Sequence, residues 1–416
     1  MRSLFAPLFV RAAPLAALLA IAPPALAEPV VGYADLHIHL AAHLAVPVYG
    51  EGLEATAPPD LTYRHGLRPS LFASQLAESD VTVYVSLAYA NPFFTAFESH
   101  ASMKARIERQ LDYVEAFAAR HADRYTWART PAEARAAIGA GRSVIVHGIE
   151  GATKILDAPA DAAYWASRGV AVVTPVHLAD NRLGGSNCMS GSLALLNVPG
   201  CWREGLAPRA HGLSPRGVDL VGALVDAGVV IDLAHASPAT FDGLLDVVNE
   251  RGGAPVYTHV VAQAVRGEPA EVTDDQLRRI YAVGGLVGVT ANHRSISPKP
   301  ALEDPPAGYC RGSVDDLRLQ WDHVVGVVPG QPVAWGSDFQ GGVTHIRPKY
   351  GPLGCTDARP DGAALSAFDT LGLAHAGLVP PMFGELVAGG SDRGPLDASA
   401  ERFLQIWERA RDIAAR

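Results

Sequence analysis

The sequence predicts an α/β protein built as a (β/α)8 TIM-type barrel with insertions on its top face. Three observations point there. Eight short β-branched runs recur, at 30–40, 81–88, 143–149, 170–176, 229–234, 255–258, 285–290 and 333–337. Helical segments with readable ends lie between them. No Gly-x-Gly-x-x-Gly follows any run, which argues against an open dinucleotide-binding sheet.

Most of the runs are nearly continuous in apolar residues, as parallel strands covered on both sides require. The helices carry their own start signals. Thr130-Pro131-Ala132-Glu133 is a capping box with Pro at the first helical position. Ser214-Pro215 opens a helix that Gly228 closes, Ser237-Pro238 opens one that ends near Gly252, and Thr273-Asp274-Asp275-Gln276 opens one that ends at Gly284-Gly285. Strands alternating with helices give a parallel sheet, and eight such units favour closure into a barrel. Two regions break the repeat. Residues 181–214 are rich in Gly, Asn, Ser and Pro, and 297–312 are rich in Pro. Both follow strands, so a barrel places them on the top face, as substrate walls or as solvated loops. Residues 398–416 read as an amphipathic helix. With no long linker and no solenoid repeat, 28–416 is expected to be one domain.

The first 27 residues differ from the rest. Arg2 and Arg11 flank an Ala/Leu-rich stretch ending in Ala25-Leu26-Ala27, the small-x-small pattern of a cleaved export signal. An uncleaved anchor is the competing reading. Pro23 and Pro24 interrupt the stretch, and it falls short of the roughly 20 residues a span needs. Cleavage after Ala27 makes the protein exported, periplasmic or secreted, with no membrane span remaining. It also takes the formal charge from −9 to −11. An acidic chain without a Lys/Arg run is a poor partner for nucleic acid or an anionic membrane. The four cysteines, Cys188, Cys201, Cys310 and Cys355, form no Cys-x-x-Cys, which excludes a zinc ribbon. In an exported chain an even count suggests disulfides. Cys188–Cys201 closes a short loop and Cys310–Cys355 is the other pair; four free thiols are the alternative.

The chemistry lies in the polar residues at the strand ends. Residues i and i+2 of a strand share a side, so His37-Ile38-His39 brings two imidazoles together, with Asp35 expected on the same face. A barrel strand normally fills its inner positions with Val, Ile or Leu. The third run ends in His147-Gly148-Ile149-Glu150-Gly151, and a carboxylate there is costly to bury unless paired or metal-bound. The fourth ends in Pro175-Val176-His177, the fifth in Asp232-Leu233-Ala234-His235, the sixth in Thr258-His259 and the eighth in Gly336-Ser337-Asp338-Phe339. One histidine is more often a satisfied core residue than a ligand. Six strands presenting His, Glu or Asp at one end imply a metal-dependent hydrolase. Imidazole and carboxylate are the ligands zinc takes, and a carboxylate can bridge two ions. Two cations sharing a water lower its pKa and polarise a carbonyl.

These motifs resemble the membrane dipeptidase (renal dipeptidase, peptidase M19) branch of the amidohydrolase superfamily. The matching pieces are Asp35-Leu36-His37-Ile38-His39, Gly148-Ile149-Glu150-Gly151, Thr174-Pro175-Val176-His177, Ile231-Asp232-Leu233-Ala234-His235, Thr258-His259, Thr273-Asp274-Asp275-Gln276-Leu277 and Gly336-Ser337-Asp338-Phe339, in family order. The resemblance implies a (β/α)8 barrel with two divalent metal ions, zinc in the family, and hydrolysis of dipeptides. It implies that His37 and His39 hold the first metal, Glu150 bridges, and His235 and His259 hold the second. Asp338 would bind the bridging water and shuttle its proton, and His177 would contact the substrate carbonyl. Three departures accompany it. The first strand carries His-x-His where the family has His-x-Asp. The Arg that would bind the substrate carboxylate is replaced by Ala270, followed by Glu271; Arg266, four residues earlier, and Arg294, after the seventh strand, are candidate substitutes that do not match by position. Gln340 stands where an Asp is usual. The segment from Pro175 to Asn181, followed by Gly184-Gly185-Ser186, looks like a divergent bacterial subgroup.

The expected function is therefore an exported dinuclear zinc hydrolase cleaving a dipeptide or related amide, possible as a homodimer. A second reading keeps the metals but cleaves an acyl amino acid, cyclic amide or lactone. A third is an exported binding protein that has lost catalysis. The other histidines, His43, His65, His100, His121, His211, His323, His345 and His375, read as surface or core residues. His147 falls out of step with Glu150 and reads as structural. Asp232 either orients a ligand or caps a turn, and Asp35 supports the histidine pair.

Overall fold

In the computed structural model all eight runs form parallel strands. The structure describes residues 28–89, 98–188, 195, 197–207, 211–268 and 271–416; residues 1–27, where the export signal is expected, and Ala270 lie outside them. The strands are β1 (Ala34–Ile38), β2 (Val83–Tyr89), β3 (Tyr125–Trp127), β4 (Ser143–Glu150), β5 (Val170–Thr174), β6 (Val230–Ile231), β7 (Val256–Val260), β8 (Leu286–Val289) and β9 (Ala334–Trp335). Their order around the sheet is β6-β5-β4-β2-β1-β9-β8-β7. The ring closes between β6 and β7 through one parallel bridge, Asp232 with Val256, and the Leu233 N–H donates to the Val256 carbonyl at 2.9 Å. The added strand β3 lies outside the ring and pairs only with β4.

The helix caps form as the sequence expects. The Oγ atoms of Ser214 and Ser237 accept the N–H groups of Gly217 and Thr240 at 2.9 and 3.2 Å. Thr130 caps through Glu133 N–H at 3.2 Å, and the Glu133 carboxylate reaches back to Arg129 N–H at 2.7 Å. The helix Pro215–Asp226 ends before Gly228, whose φ of +80° turns the chain into β6.

One element organises the bottom of the barrel. The last helix, Ser399–Ala414, buries Phe403, Leu404, Ile406 and Trp407 against the strand-start residues Ala34, Val83, Val144, Val172, Val230 and Val256. Burying one such side chain stabilises by about 1.5–3 kcal/mol. Ser399 Oγ also accepts the Ala34 N–H at 3.0 Å, tying the chain's end to β1. The polar side of this helix is held by Arg135, which contacts Glu401 at 2.8 Å and Glu408 at 2.6 Å. No helix among the described residues is long and apolar enough to cross a membrane.

All four cysteines are paired, Cys188 with Cys201 and Cys310 with Cys355. The first bridge lies within the 181–214 insertion and joins Cys188 to the helix Val198–Leu206. The second ties the 297–312 insertion to the segment after β9.

The Arg135 hydrogen bonds hold the Glu401 carboxyl down to about 2 from its ordinary 4.5, against the opposing effect of burial. A depressed carboxyl stabilises the fold above its ordinary value and stops doing so as pH falls from 4.5 towards 2. Arg135→Met should lower the urea unfolding free energy by about 1 kcal/mol at pH 7. The difference from wild type should shrink through that acid window. An undiminished difference at pH 2 would mean the loss is one of packing.

Candidate active site

At the C-terminal ends of the strands, seven polar side chains converge. His37 and His39 come from β1, Glu150 from β4, His177 from just after β5, His235 from after β6, His259 from β7 and Asp338 from after β9. Glu150 is the hub. Its Oε1 lies 3.3 Å from His37 Nε2, 3.4 Å from His177 Nε2 and 3.1 Å from His235 Nε2, and its Oε2 lies 3.6 Å from His39 Nε2. Asp338 Oδ1 faces the first pair, 3.4 Å from His39 Nε2 and 3.7 Å from His37 Nε2. His259 Nε2 is 3.1 Å from His235 Nε2. Two trios of donor atoms are close enough to share a cation: His37, His39 and Glu150, and Glu150, His177 and His235. The structure therefore gathers the residues expected as ligands in one cluster, but the second trio contains His177, whose expected role was substrate contact, and not His259, which lies beside His235.

The local backbone explains how. His235, Asp338 and Gln340 have φ of 63°, 56° and 64°, the left-handed region that non-glycine residues rarely adopt. Such strain collects where a side chain must be aimed. The turn bearing Asp338 is pinned from several sides. The Asp338 N–H donates to the His37 carbonyl at 2.7 Å, and Ser337 Oγ donates to the same carbonyl at 3.0 Å. His345 Nε2 donates to the Ser337 carbonyl at 2.6 Å, and His345 Nδ1 lies 3.0 Å from His65 Nε2. Two glycines make room. A Cβ on Gly336 would lie 2.0 Å from the Thr258 carbonyl oxygen, and Gly151, at φ +83°, sits against His177.

Electrostatics follow from the crowding. Burial alone would push the Glu150 carboxyl up, yet His177, His37 and His235 hold it well below the usual range. Burial likewise opposes ionisation of Asp338, and His39, His37 and His259 bring it down to about 2. Burial drives His177 down to about 3, with His235, His39 and His37 adding to the effect against the pull of Glu150. His259 is lowered by burial and by His37 and His235. The cluster thus sets two carboxylates among imidazoles of which two, His177 and His259, are pushed towards the neutral form. His37 Nε2 and His39 Nε2 are buried without a hydrogen-bond partner. Buried polar nitrogens are seldom left so. They are the atoms that a divalent cation bound to Glu150 and Asp338 would satisfy, so the donor set fits a metal.

Some expectations land elsewhere. Asp35 does not join the cluster. The β1–β2 register shifts between Asp35 and Ile38, which breaks the simple alternation, and Asp35 Oδ1 instead accepts the N–H groups of His37 and Ser337 at 3.1 and 3.0 Å. His147 is structural: it lies 3.3 Å from Glu115 and packs against Trp127. Arg294 is exposed on the short helix His293–Ile296 and touches none of the seven. Arg266 is buried, donating to the Ser297 carbonyl at 2.5 Å and pairing with Glu268 at 3.2 Å. Beside His235 a chamber of about 240 Å3 is lined by Ala236, Phe241, Tyr257, Glu271, Gln276 and Arg279. Burial pushes the Glu271 carboxyl there up to about 7, with Arg266 pulling it down and Glu268 raising it.

The described part of the 181–214 insertion packs against the backbone of His235. Its Asn187 N–H and Ser186 Oγ donate to the His235 carbonyl at 2.7 and 3.1 Å. Asp180 holds it in place through His211 Nε2 at 2.8 Å, Arg203 at 3.0 Å and Asn197 Nδ2 at 2.8 Å. His211, His345 and His65, which read as ordinary in the sequence, therefore support the site. No sequence signal singled them out, because each acts across a distance in the chain.

Comparison with known proteins agrees with this geometry. The profile of the membrane dipeptidase family (Peptidase family M19) matches residues 59–348, which include every clustered residue except the β1 pair. A curated dipeptidase, verJ of Clonostachys rogersoniana, is 26% identical over 254 residues, covering 61% of this chain and 57% of its own. The chain spans about half the length of the curated relatives it matches. Among solved structures, a metallo peptidase from Rhodobacter sphaeroides, liganded with a phosphinate mimic of the dipeptide L-Ala-D-Ala, superposes with a TM-score of 0.65 at 18% identity, covering 92% of this chain and 99% of its own. The probable dipeptidase PvdM of Pseudomonas aeruginosa gives 0.66 at 15%, with 92% and 96% covered. At these identities the structures show the shared (β/α)8 fold.

Glu150 belongs to both trios, whereas His39 and His235 each belong to one. Glu150→Ala should therefore lower bound divalent metal, read by elemental analysis after gel filtration, more than His39→Ala or His235→Ala. Equal metal content in Glu150→Ala and wild type would remove Glu150 from its central place.

Proposed function

Because the chain belongs to the membrane dipeptidase family, peptidase M19, we propose that it is an exported hydrolase that cleaves a dipeptide or related amide with two divalent metal ions, zinc by the donor set. The observation that carries this reading is Glu150 set between two groups of imidazoles, with buried Nε2 atoms facing it. His37 and His39 would hold one ion and His235 and His259 the other, with Glu150 shared. Ions bound there acidify a water and polarise an amide carbonyl. The side chains do the rest. Asp338, held ionised and 13% exposed at the edge of the cluster, takes the proton of the attacking water and passes it to the leaving amine. His177 presents an N–H to the oxygen on which charge develops. Two disulfides and the apolar leader support an oxidising, exported setting.

A second reading of the substrate has its own support. Arg266 is paired with Glu268 and the Ser297 carbonyl, and Arg294 is exposed on its short helix. Glu271, whose carboxyl burial pushes up to about 7, would repel a free carboxylate brought to it whenever ionised. The structure's charges therefore suit an amide whose far end carries no carboxylate: an acyl amino acid ester, a peptide amide or a cyclic amide.

The zinc-reconstituted protein should hold two equivalents and release amino acid from a dipeptide library. Asp338→Asn should keep the metal and lose kcat by about 10³-fold; a variant with wild-type kcat removes Asp338 from proton transfer. A C-terminal dipeptide amide should be cleaved with a kcat/KM within about tenfold of the free dipeptide, since no buried charge pair of the usual roughly 3–5 kcal/mol is broken. A preference above a hundredfold for the free carboxylate would overturn the second reading.

A further inference from the structure

We propose that Asp232 and Thr258 are positioning residues that set the tautomer of His37 and His259 through one shared hydroxyl. Thr258 is fully buried on β7. Its Oγ1 lies 2.8 Å from Asp232 Oδ2, 2.8 Å from His37 Nδ1 and 3.0 Å from His259 Nδ1. A threonine hydroxyl has one proton and two acceptor lone pairs, so the direction of each bond is decided by counting.

The count begins at Asp232. Its Oδ1 accepts the N–H groups of Ala234 and Thr258, each at 3.0 Å, and its Oδ2 accepts the Thr174 hydroxyl at 2.7 Å. With these donors and Thr258 Oγ1 arrayed around it, the carboxylate only accepts. The Thr258 proton must then point at Asp232; turned elsewhere, it would leave two oxygen lone pairs facing each other at 2.8 Å in a buried place. Both remaining lone pairs of Thr258 Oγ1 are free to accept, and the two groups in reach are His37 Nδ1 and His259 Nδ1. Each imidazole is thereby fixed with its proton on Nδ1 and its lone pair on Nε2. Those Nε2 atoms face the cluster: His37 Nε2 lies 3.3 Å from Glu150 Oε1 and His259 Nε2 lies 3.1 Å from His235 Nε2.

His39 reaches the same state by simpler means, since its Nδ1 donates to the Leu87 carbonyl at 2.9 Å. What is particular to Asp232 and Thr258 is that one carboxylate serves two imidazoles, expected to serve two different ions. Asp232 is also the residue whose bridge to Val256 joins β6 to β7. Barrel closure and ligand orientation thus meet in one side chain.

The inference rests on the metal-centre reading for its consequence but not for its geometry. Two measurements keep them apart. In metal-free wild-type protein, 15N-histidine spectra should show a proton on Nδ1 of both His37 and His259, whether the ring is neutral or an imidazolium; an unprotonated Nδ1 at either overturns the inference whether or not metal binds. In zinc competition against a chromophoric chelator, Thr258→Val should weaken affinity at least about tenfold, whereas Thr258→Ser, which keeps the hydroxyl, should stay within about threefold of wild type. Wild-type affinity in Thr258→Val, or a Thr258→Ser as weak as Thr258→Val at unchanged apo-protein melting temperature, would overturn it.

Discussion

A carboxylate buried among imidazoles is the constraint on which the top of this barrel depends. Glu150 is almost without solvent contact, and an isolated charge so placed would cost several kcal/mol or more. It is kept only because His37, His39, His177 and His235 stand within 3.1–3.6 Å. Those residues come from the ends of three different strands and Glu150 from a fourth, so the carboxylate holds to one geometry only if the ring of strands is closed and in register. The requirement reads in both directions. The barrel brings the imidazoles to Glu150, and without a partner for their inward nitrogens the imidazoles would leave buried polar atoms unsatisfied. A cation resolves both demands at once, which is why the donor set points to metal more firmly than any single motif does.

Around that hub, polar side chains replace the regular ladder where it gives out. The strands β6 and β9 have only two residues each in regular pairing. At both places an aspartate substitutes for the missing ladder: Asp232 gathers Ala234, Thr258 and Thr174, and Asp35 gathers His37 and Ser337. Each spans two or more neighbouring strands. The chain can therefore leave regular β geometry at the point where His235 and Asp338 need positive φ, without leaving backbone groups unpaired. The 181–214 insertion adds a further layer, locked by Cys188–Cys201 and by the Asp180–His211 contact, and it grips the backbone of His235 itself.

Much of this was legible in the sequence, for reasons that differ by element. The eight strand runs and the Ser-Pro and Thr-Pro helix starts were visible because they are local: apolar continuity and capping chemistry act over a few residues. The strand-end His, Glu and Asp were visible because burial makes them anomalous. The strand β3 was not, since three residues, Tyr125–Trp127, carry no periodicity. Asp35 was misplaced because strict alternation was assumed across a register shift. Thr258 lay within a recognised motif, but its role depends on His37, 221 residues away, and on Asp232. His65, His211 and His345 were invisible for the same reason: their partners are set by the fold and not by neighbours in the chain.

The same distinction explains why the metal centre is easier to read than the substrate. Ligands must sit at the strand ends or a few residues past them, where the parallel barrel gathers them and where only a few residue types can serve. Substrate recognition has no such anchor. Arg266 sits within reach of the site by count, yet its guanidinium is paired with Glu268 and the Ser297 carbonyl, while Glu271, five residues on, lines the chamber at Ala236. Whether a cation is free to meet a substrate carboxylate is decided by those competing pairs, contributed by segments that follow two different strands. A positive residue in the right stretch of sequence is therefore weak evidence for carboxylate recognition, and in this chain the pairing that neutralises it is what turns the specificity question towards amides without a free carboxylate.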